Sequence, residues 1–229
     1  YYRRWRQRFF FHSVPLAKLF ADAPYATWLR EEGWRLSSAA DYQRRIAALS
    51  LRPTLSIFLA VHEPQPSWLE ESVASVLAQF YPHWELWLCE MNPSVSTRAV
   101  LEQYRERDVR LKVIPFLSSM TDATSTLNRA LQLATGEFIG LLAQHDTLAP
   151  HALYEVATYL QDGRGDLLYS DEDTIGAGGQ RVAPFCKPDW SPDLCLSSLY
   201  PCRFGVYRKQ IVETVGGFRA TCAESLDYD

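Results

Sequence analysis

Several short polar clusters in this 229-residue chain have the make-up of chemical sites. His145-Asp146 closes an apolar run; an imidazole beside a carboxylate is acceptable to Mn²⁺ and better suited to Zn²⁺ or Fe²⁺, whereas Mg²⁺ prefers oxygen ligands. Ser170-Asp171-Glu172-Asp173 gathers three carboxylates, although an acidic turn is just as readily a solvated surface. Lys187-Pro188-Asp189-Trp190 offers a cation, an anion and an indole, a set suited to anionic and ring-shaped ligands; a structural, buried Trp190 would read the same way. Asp227 stands between Leu226 and Tyr228, where partial desolvation would suit a general base. His62-Glu63 and Glu90-Met91 each follow an apolar run, and His62 reads equally as a stacking ring or as an ordinary loop histidine.

The elements that must position these residues alternate between strand and helix. Leu55–Val61 is a nearly continuous apolar run, as in a strand buried on both faces of a parallel sheet. Ser67-Trp68-Leu69-Glu70 has the form of a capping box ahead of a helix with Leu69, Val73, Val76 and Leu77 on one face. Strands follow at Glu85–Cys89, Val109–Pro115, Glu137–Leu142 and Asp166–Ser170, and helices at Ser96–Arg107, from Asp122 to Ala134 with Gly136 as its C-cap, and at Pro150–Gln161. This alternation predicts a mainly parallel sheet, which binds ligands beyond the carboxyl ends of its strands. Chemistry is therefore expected after Val61, Cys89 and Leu142. From Gly176 the chain reads as loop-rich, closing with a strand at Phe204–Tyr207, a helix at Lys209–Val215 and the turn Gly216-Gly217-Phe218. Residues 1–52 read as a helical extension, with Tyr42, Ile46 and Leu49 at helical spacing.

Composition narrows the classes. Hydrophobic residues at 47% and charged residues at 22% are the balance of a soluble globular protein, and no apolar run approaches the roughly 20 residues of a membrane span. The five cysteines are odd in number and form no C-x-x-C pair, so reduced thiols in a cytoplasmic protein are expected. Residues 1–50 hold nine bases against four acids, which leaves −9 for the remainder of a chain whose net charge is −4. The acidic remainder argues against nucleic acid as a partner. The basic, aromatic amino end suits peripheral contact with anionic lipid, or equally a solvated helical extension. The absence of an initial Met and the stop at Asp229, inside a candidate site, suggest a piece of a longer, multi-domain chain.

In order and spacing, the segments PTLSIFLAVHEPQPSW, ELWLCEMNPS, TGEFIGLLAQHDTL, LYSDED, PFCKPDWSPDL and VGGFR…LDYD resemble the family-2 inverting glycosyltransferases. Residues near Tyr25–Leu49 are similar to the lead-in helices of the branch that builds bacterial surface polysaccharide. The resemblance implies a GT-A type α/β fold over residues 53–229, cut short at its carboxyl end. It also implies transfer of a sugar from a nucleotide-diphosphate donor to a saccharide or lipid-linked acceptor, in the cytoplasm or at the inner face of the membrane. By position in the family pattern, donor contacts fall to His62, Glu63, Glu90, Asp146 and Lys187. Acceptor contacts fall to Asp171, Asp173, Asp189, Trp190 and Gly217, the general base to Asp227, and a Mn²⁺ or Mg²⁺ ion to His145 and Asp146.

The chain also departs from that pattern. Ala143-Gln144-His145-Asp146 replaces an Asp-x-Asp-Asp metal motif, Met91 replaces an aspartate that contacts the donor base, and Leu226 replaces a polar neighbour of the base. These losses leave two readings open. One is an active transferase with a repurposed cation site, and the other a degenerate module that binds glycan or a partner within a larger protein. A nucleotidyltransferase is disfavoured because HEPQPSW lacks the glycines of a phosphate loop.

Overall fold

The computed structural model describes residues 22–31, 38–62, 66–91, 95–117, 124–163, 165–176, 178–198, 200–201 and 203–219. Its elements run α1 (Asp22–Glu31), α2 (Ala39–Ala47), β1 (Leu55–Val61), α3 (Pro66–Leu77), β2 (Trp84–Glu90), α4 (Val95–Arg105), β3 (Leu111–Ile114), α5 (Thr124–Leu133) and β4 (Phe138–Ala143). They continue with α6 (Ala152–Tyr159), β5 (Leu167–Leu168), β6 (Glu172–Ile175), β7 (Arg181–Phe185), α7 (Pro192–Ser197), β8 (Val206–Arg208) and α8 (Lys209–Thr214). Among these residues no helix is long and apolar enough to cross a membrane, and Cys89, Cys186 and Cys195 form no disulfide.

The main sheet has the order β3-β2-β1-β4-β8-β5. The first four strands are parallel, and β8 runs antiparallel between β4 and β5. Successive residues of β1 and β2 serve opposite faces, as the two-residue strand period requires. Ile57, Leu59, Leu86 and Leu88 join a core with Leu69 and Val73 of α3, Leu101 of α4 and Leu153 of α6. Phe58, Trp87 and Cys89 join a second core with Leu127 and Leu131 of α5 and with Phe218. Burying each large side chain on both faces contributes about 1.5–3 kcal/mol, which is why apolar residues dominate β1 and β2. Tyr42 and Ile46 of α2 lie in the first core, so this helix packs against the sheet domain.

The order places a topological switch at β1. The chain builds outward from β1 through β2 to β3, then returns to lay β4 on the other side of β1. At such a switch point, beyond the carboxyl ends of β1 and β4, open sheets of this kind take ligands.

Three local expectations are corrected. Helix α3 already begins at Pro66, so Ser67 lies within its first turn, and Glu70 accepts from Arg107 Nη1 at 2.7 Å and Tyr104 Oη at 2.8 Å. A capping box does occur, at Ser38 and Asp41 ahead of α2. Gly136 is no left-handed cap: a Cβ there would stand 2.7 Å from Thr54 O and 2.8 Å from Ser56 N, so its role is close approach to β1. The stretch after Gly176, read as loop, holds β7, which pairs back on β6 as a hairpin; Gly-rich composition outweighs so short a strand pattern. Asp122, the expected cap of α5, lies outside the described residues.

Candidate functional site

At the carboxyl edge of the sheet the loop ends form a continuous row. Met91 N donates to Val61 O at 2.9 Å, joining the ends of β2 and β1. His62 is joined to the end of β4 by a reciprocal pair: its N donates to Gln144 Oε1 at 2.8 Å, and Gln144 Nε2 donates to its carbonyl at 2.7 Å. An amide side chain thus spans the switch-point crevice and fixes the two loops in register. His145 and Asp146 follow, and the exposed indole of Trp68, from the first turn of α3, meets the His145 ring edge-on at 6.5 Å between centroids. His145 is half exposed, its Nε2 lying 4.0 Å from Asp146 Oδ1.

A residue with no signal in the linear sequence completes this cluster. Because β8 is antiparallel to β4, pairing Gly140 with Val206, the start of β8 lies beside the end of β4. Leu141 N donates to Gly205 O at 3.0 Å and extends that pairing toward the edge. The loop before β8 thereby delivers Arg203, whose Nη1 lies 3.4 Å from His145 Nε2 and 3.5 Å from Asp146 Oδ2. Arg203 adopts φ +70°, a left-handed backbone that residues other than Gly rarely hold.

This arrangement bears on the expected cation. Asp146 Oδ2 is buried and accepts no hydrogen bond from the described residues, the kind of atom a metal could satisfy. Yet the set is one nitrogen and one carboxylate with a guanidinium within ion-pair range of both. Among the described residues no group of three or more His, Cys, Asp or Glu could hold a metal. Divalent ions want more ligands, oxygen-rich for Mg²⁺, and no permanent positive charge among them. The described residues do not fit a divalent cation.

Glu90 ends β2 with its side chain fully buried. Its Oε2 accepts from Arg98 Nη2 at 3.0 Å, Arg98 Nε at 3.3 Å and Phe116 N at 2.7 Å. Its charge is therefore tied to α4 and to the end of β3. Beside it Met91 is buried, with Thr126 Oγ1 at 3.5 Å from its sulfur. Glu63 and Asp227 lie outside the described residues.

The other acidic cluster sits on the hairpin. Since β5 is antiparallel to β8, its carboxyl end points the same way as that of β4, and Ser170–Asp173 leave from the same edge. Each carboxylate has a partner. Asp171 Oδ1 accepts from Lys187 N at 2.7 Å, Glu172 pairs with Lys187 Nζ at 2.7 Å, and Asp173 binds Arg181 and the Tyr25 hydroxyl. The Lys187 side chain is only 1% exposed, so its ammonium faces Glu172 within the hairpin rather than solvent. Asp189 is exposed and Trp190 half-buried, tilted against Tyr200. Gly217, at φ +77°, is gripped from α5: Asn128 Nδ2 donates to Phe218 O at 2.8 Å and Phe218 N to Asn128 Oδ1 at 2.9 Å. A Cβ on Gly217 would stand 2.4 Å from that amide oxygen.

Residues 56–190 match the model of the family described as Glycosyl transferase family 2. Over 201 residues the chain is 40% identical to the O-antigen biosynthesis protein RfbC of Myxococcus xanthus, covering 86% of this chain and 15% of that protein. The fold is similar to that of S. aureus TarS 1–349, with TM-score 0.55 and 16% identity over 76% of this chain and 53% of that one. It is also similar to the mannosyltransferase PcManGT of Pyrobaculum calidifontis in complex with GDP-Man and Mn²⁺, with TM-score 0.56 and 16% identity over 82% of this chain and 56% of that one. At these identities the likeness is one of fold, the GT-A type α/β architecture that the motif order led us to expect.

Proposed function

As the chain belongs to glycosyl transferase family 2, we propose that it moves a hexose or deoxyhexose from a nucleotide-diphosphate donor to a saccharide or lipid-linked acceptor, with inversion. It would do so as one part of a longer protein building cell-surface polysaccharide at the cytoplasmic face of the membrane. The O-antigen name of the Myxococcus relative supports the pathway class, and that relative is several times longer than this chain. The observation that carries the reading is the crevice between β1 and β4, bridged by Gln144 and flanked by His62, Trp68, His145, Asp146 and Arg203.

In the proposed step the acceptor oxygen bonds to the anomeric carbon as the bond from that carbon to the diphosphate oxygen breaks. The acceptor proton passes to the Asp227 carboxylate, and the bonding pair leaves with the nucleoside diphosphate. Donor contacts fall to His62 and Glu63, while Glu90 and Asp146, engaged by Arg98 and Arg203, support that side of the crevice. Acceptor contacts fall to Asp189 and Trp190, while Asp171, Asp173, Lys187 and Gly217 shape the walls.

The test is turnover by the full-length protein with UDP- and GDP-sugars and saccharide or lipid-linked acceptors, the product's anomeric configuration being read by NMR. Inversion is expected, and Asp227→Asn should lower the rate about 10²–10⁴-fold. A retained configuration sinks the single-displacement mechanism, and an unchanged rate in Asp227→Asn removes that residue from it. A second reading, a non-catalytic glycan-binding module, is favoured by buried Met91 at the expected base-contact position. It predicts acceptor binding with no affinity for any nucleoside diphosphate.

A further inference from the structure

We infer that Arg203 is the diphosphate-binding cation of this site, standing in for a divalent metal; the inference rests on the donor reading above. Two observations on the same residue carry it. The first is position. A guanidinium lies within 3.4 Å of His145 Nε2 and 3.5 Å of Asp146 Oδ2, at the switch-point crevice where the sheet topology directs an anionic ligand. Only Nη1 makes these contacts. Nη2 and Nε have no partner among the described residues, and the side chain is 48% exposed. Asp146 therefore orients the guanidinium through one nitrogen and leaves a planar pair of donors for phosphate oxygens, the geometry in which Arg binds phosphate in two-pronged fashion.

The second observation is strain. At φ +70° Arg203 holds a backbone for which Gly is the natural residue. A long, charged side chain kept at such a position marks the side chain, rather than the backbone, as what the site uses. Hydrogen bonding of Leu141 N to Gly205 O anchors the following turn to β4 and holds the strained residue over the crevice.

Chemically, a guanidinium keeps its charge at any working pH and cannot be chelated away. It can neutralise the diphosphate of the bound donor and the additional charge that diphosphate carries once the bond to the anomeric carbon breaks. Asp146 and His145 then act as positioning residues that aim Arg203, in place of metal ligands. Donor binding by this protein is accordingly independent of divalent cations.

The experiment is calorimetric titration of UDP and of GDP into the full-length protein, in EDTA and in excess MnCl₂. The variants are Arg203→Gly, which relieves the backbone and so keeps the fold, and Arg203→Lys. At least one nucleotide should bind the parent protein in EDTA, with Mn²⁺ changing Kd by less than about twofold. Arg203→Gly should weaken binding by about tenfold or more, and Arg203→Lys should recover part of the loss, one point charge replacing a two-pronged donor. Binding that appears only with Mn²⁺ overturns the inference while leaving the donor reading intact. So does an Arg203→Gly protein, folded by circular dichroism, that binds as the parent does. No binding of either nucleotide under either condition overturns the donor reading and this inference together.

Discussion

The two ends of the central sheet solve the problem of buried charge differently. At the amino end Glu85 is nearly buried, and every oxygen is engaged. Its Oε1 accepts from Ser56 Oγ at 2.7 Å and Thr135 N at 2.7 Å, and its Oε2 pairs with Lys112 Nζ at 2.5 Å. Burial by itself would raise the pKa of this carboxyl. The Lys112 ammonium and the Ser56 hydroxyl outweigh it and bring the value down to about 2. At the carboxyl end Asp146 Oδ2 is buried without a hydrogen bond from the described residues, its neighbour His145 is half exposed, and Arg203 sits on a strained backbone. The first set is fully hydrogen-bonded; in the second, among the described residues, Asp146 Oδ2 has an ion-pair contact but no hydrogen bond, and Arg203 carries backbone strain. The first set joins β1, β2 and β3, whereas the second sits where β4 ends and β8 begins.

Substitutions at the two ends of the sheet should separate them. The largest effect is expected for Glu85→Ala, which leaves Lys112, Ser56 Oγ and Thr135 N without their acceptor. Denaturant unfolding should show a loss of about 3 kcal/mol, and a loss below about 1 kcal/mol would remove Glu85 from the fold's support. The lowered pKa fixes the direction with pH: stabilisation by Glu85 is full above its ordinary value of 4.5 and is lost as pH falls toward about 2. Melting temperature plotted over that range should be flatter in Glu85→Gln than in the parent. Next comes Gly136→Ala, whose added Cβ would collide with the backbone of β1. It should cost about 2 kcal/mol, with nucleotide affinity of the folded protein unchanged.

At the other end the sign should reverse. Arg203→Gly should stabilise by about 1 kcal/mol by releasing the left-handed strain, in the same protein that loses nucleotide affinity. A stabilised variant that still binds nucleotide would separate strain from function. The smallest effect is expected for the exposed His145: His145→Ala should alter stability by less than about 0.5 kcal/mol. A large loss there would place His145 in the fold's support instead.

Much of the architecture was legible because its signals are local. The apolar runs of β1, β2 and β4 declare strands buried on both faces, and the polar helices between them declare parallel crossovers. The same logic directed attention to the ends of those strands, and the structure places His62, Glu90, His145 and Asp146 along one edge. Side-chain partners were less legible, for physical reasons. Lys187 reads as a phosphate ligand in a linear motif, yet its side chain meets Glu172 because hairpin pairing folds Glu172–Ile175 onto Arg181–Phe185. Arg98, inside a polar helix, gave no sign that it would clasp Glu90.

The layered α/β class and the family were readable from residue periodicity and motif order, because each depends on spacing along one stretch of chain. Tertiary structure alone decided which charges meet. Arg203 lies 57 positions beyond Asp146 in the sequence and reaches it only because β8 reverses direction beside β4. Strand polarity is a property of the assembled sheet, set by which edges remain to be paired once the parallel core has formed, and it is not written in any local pattern of residues.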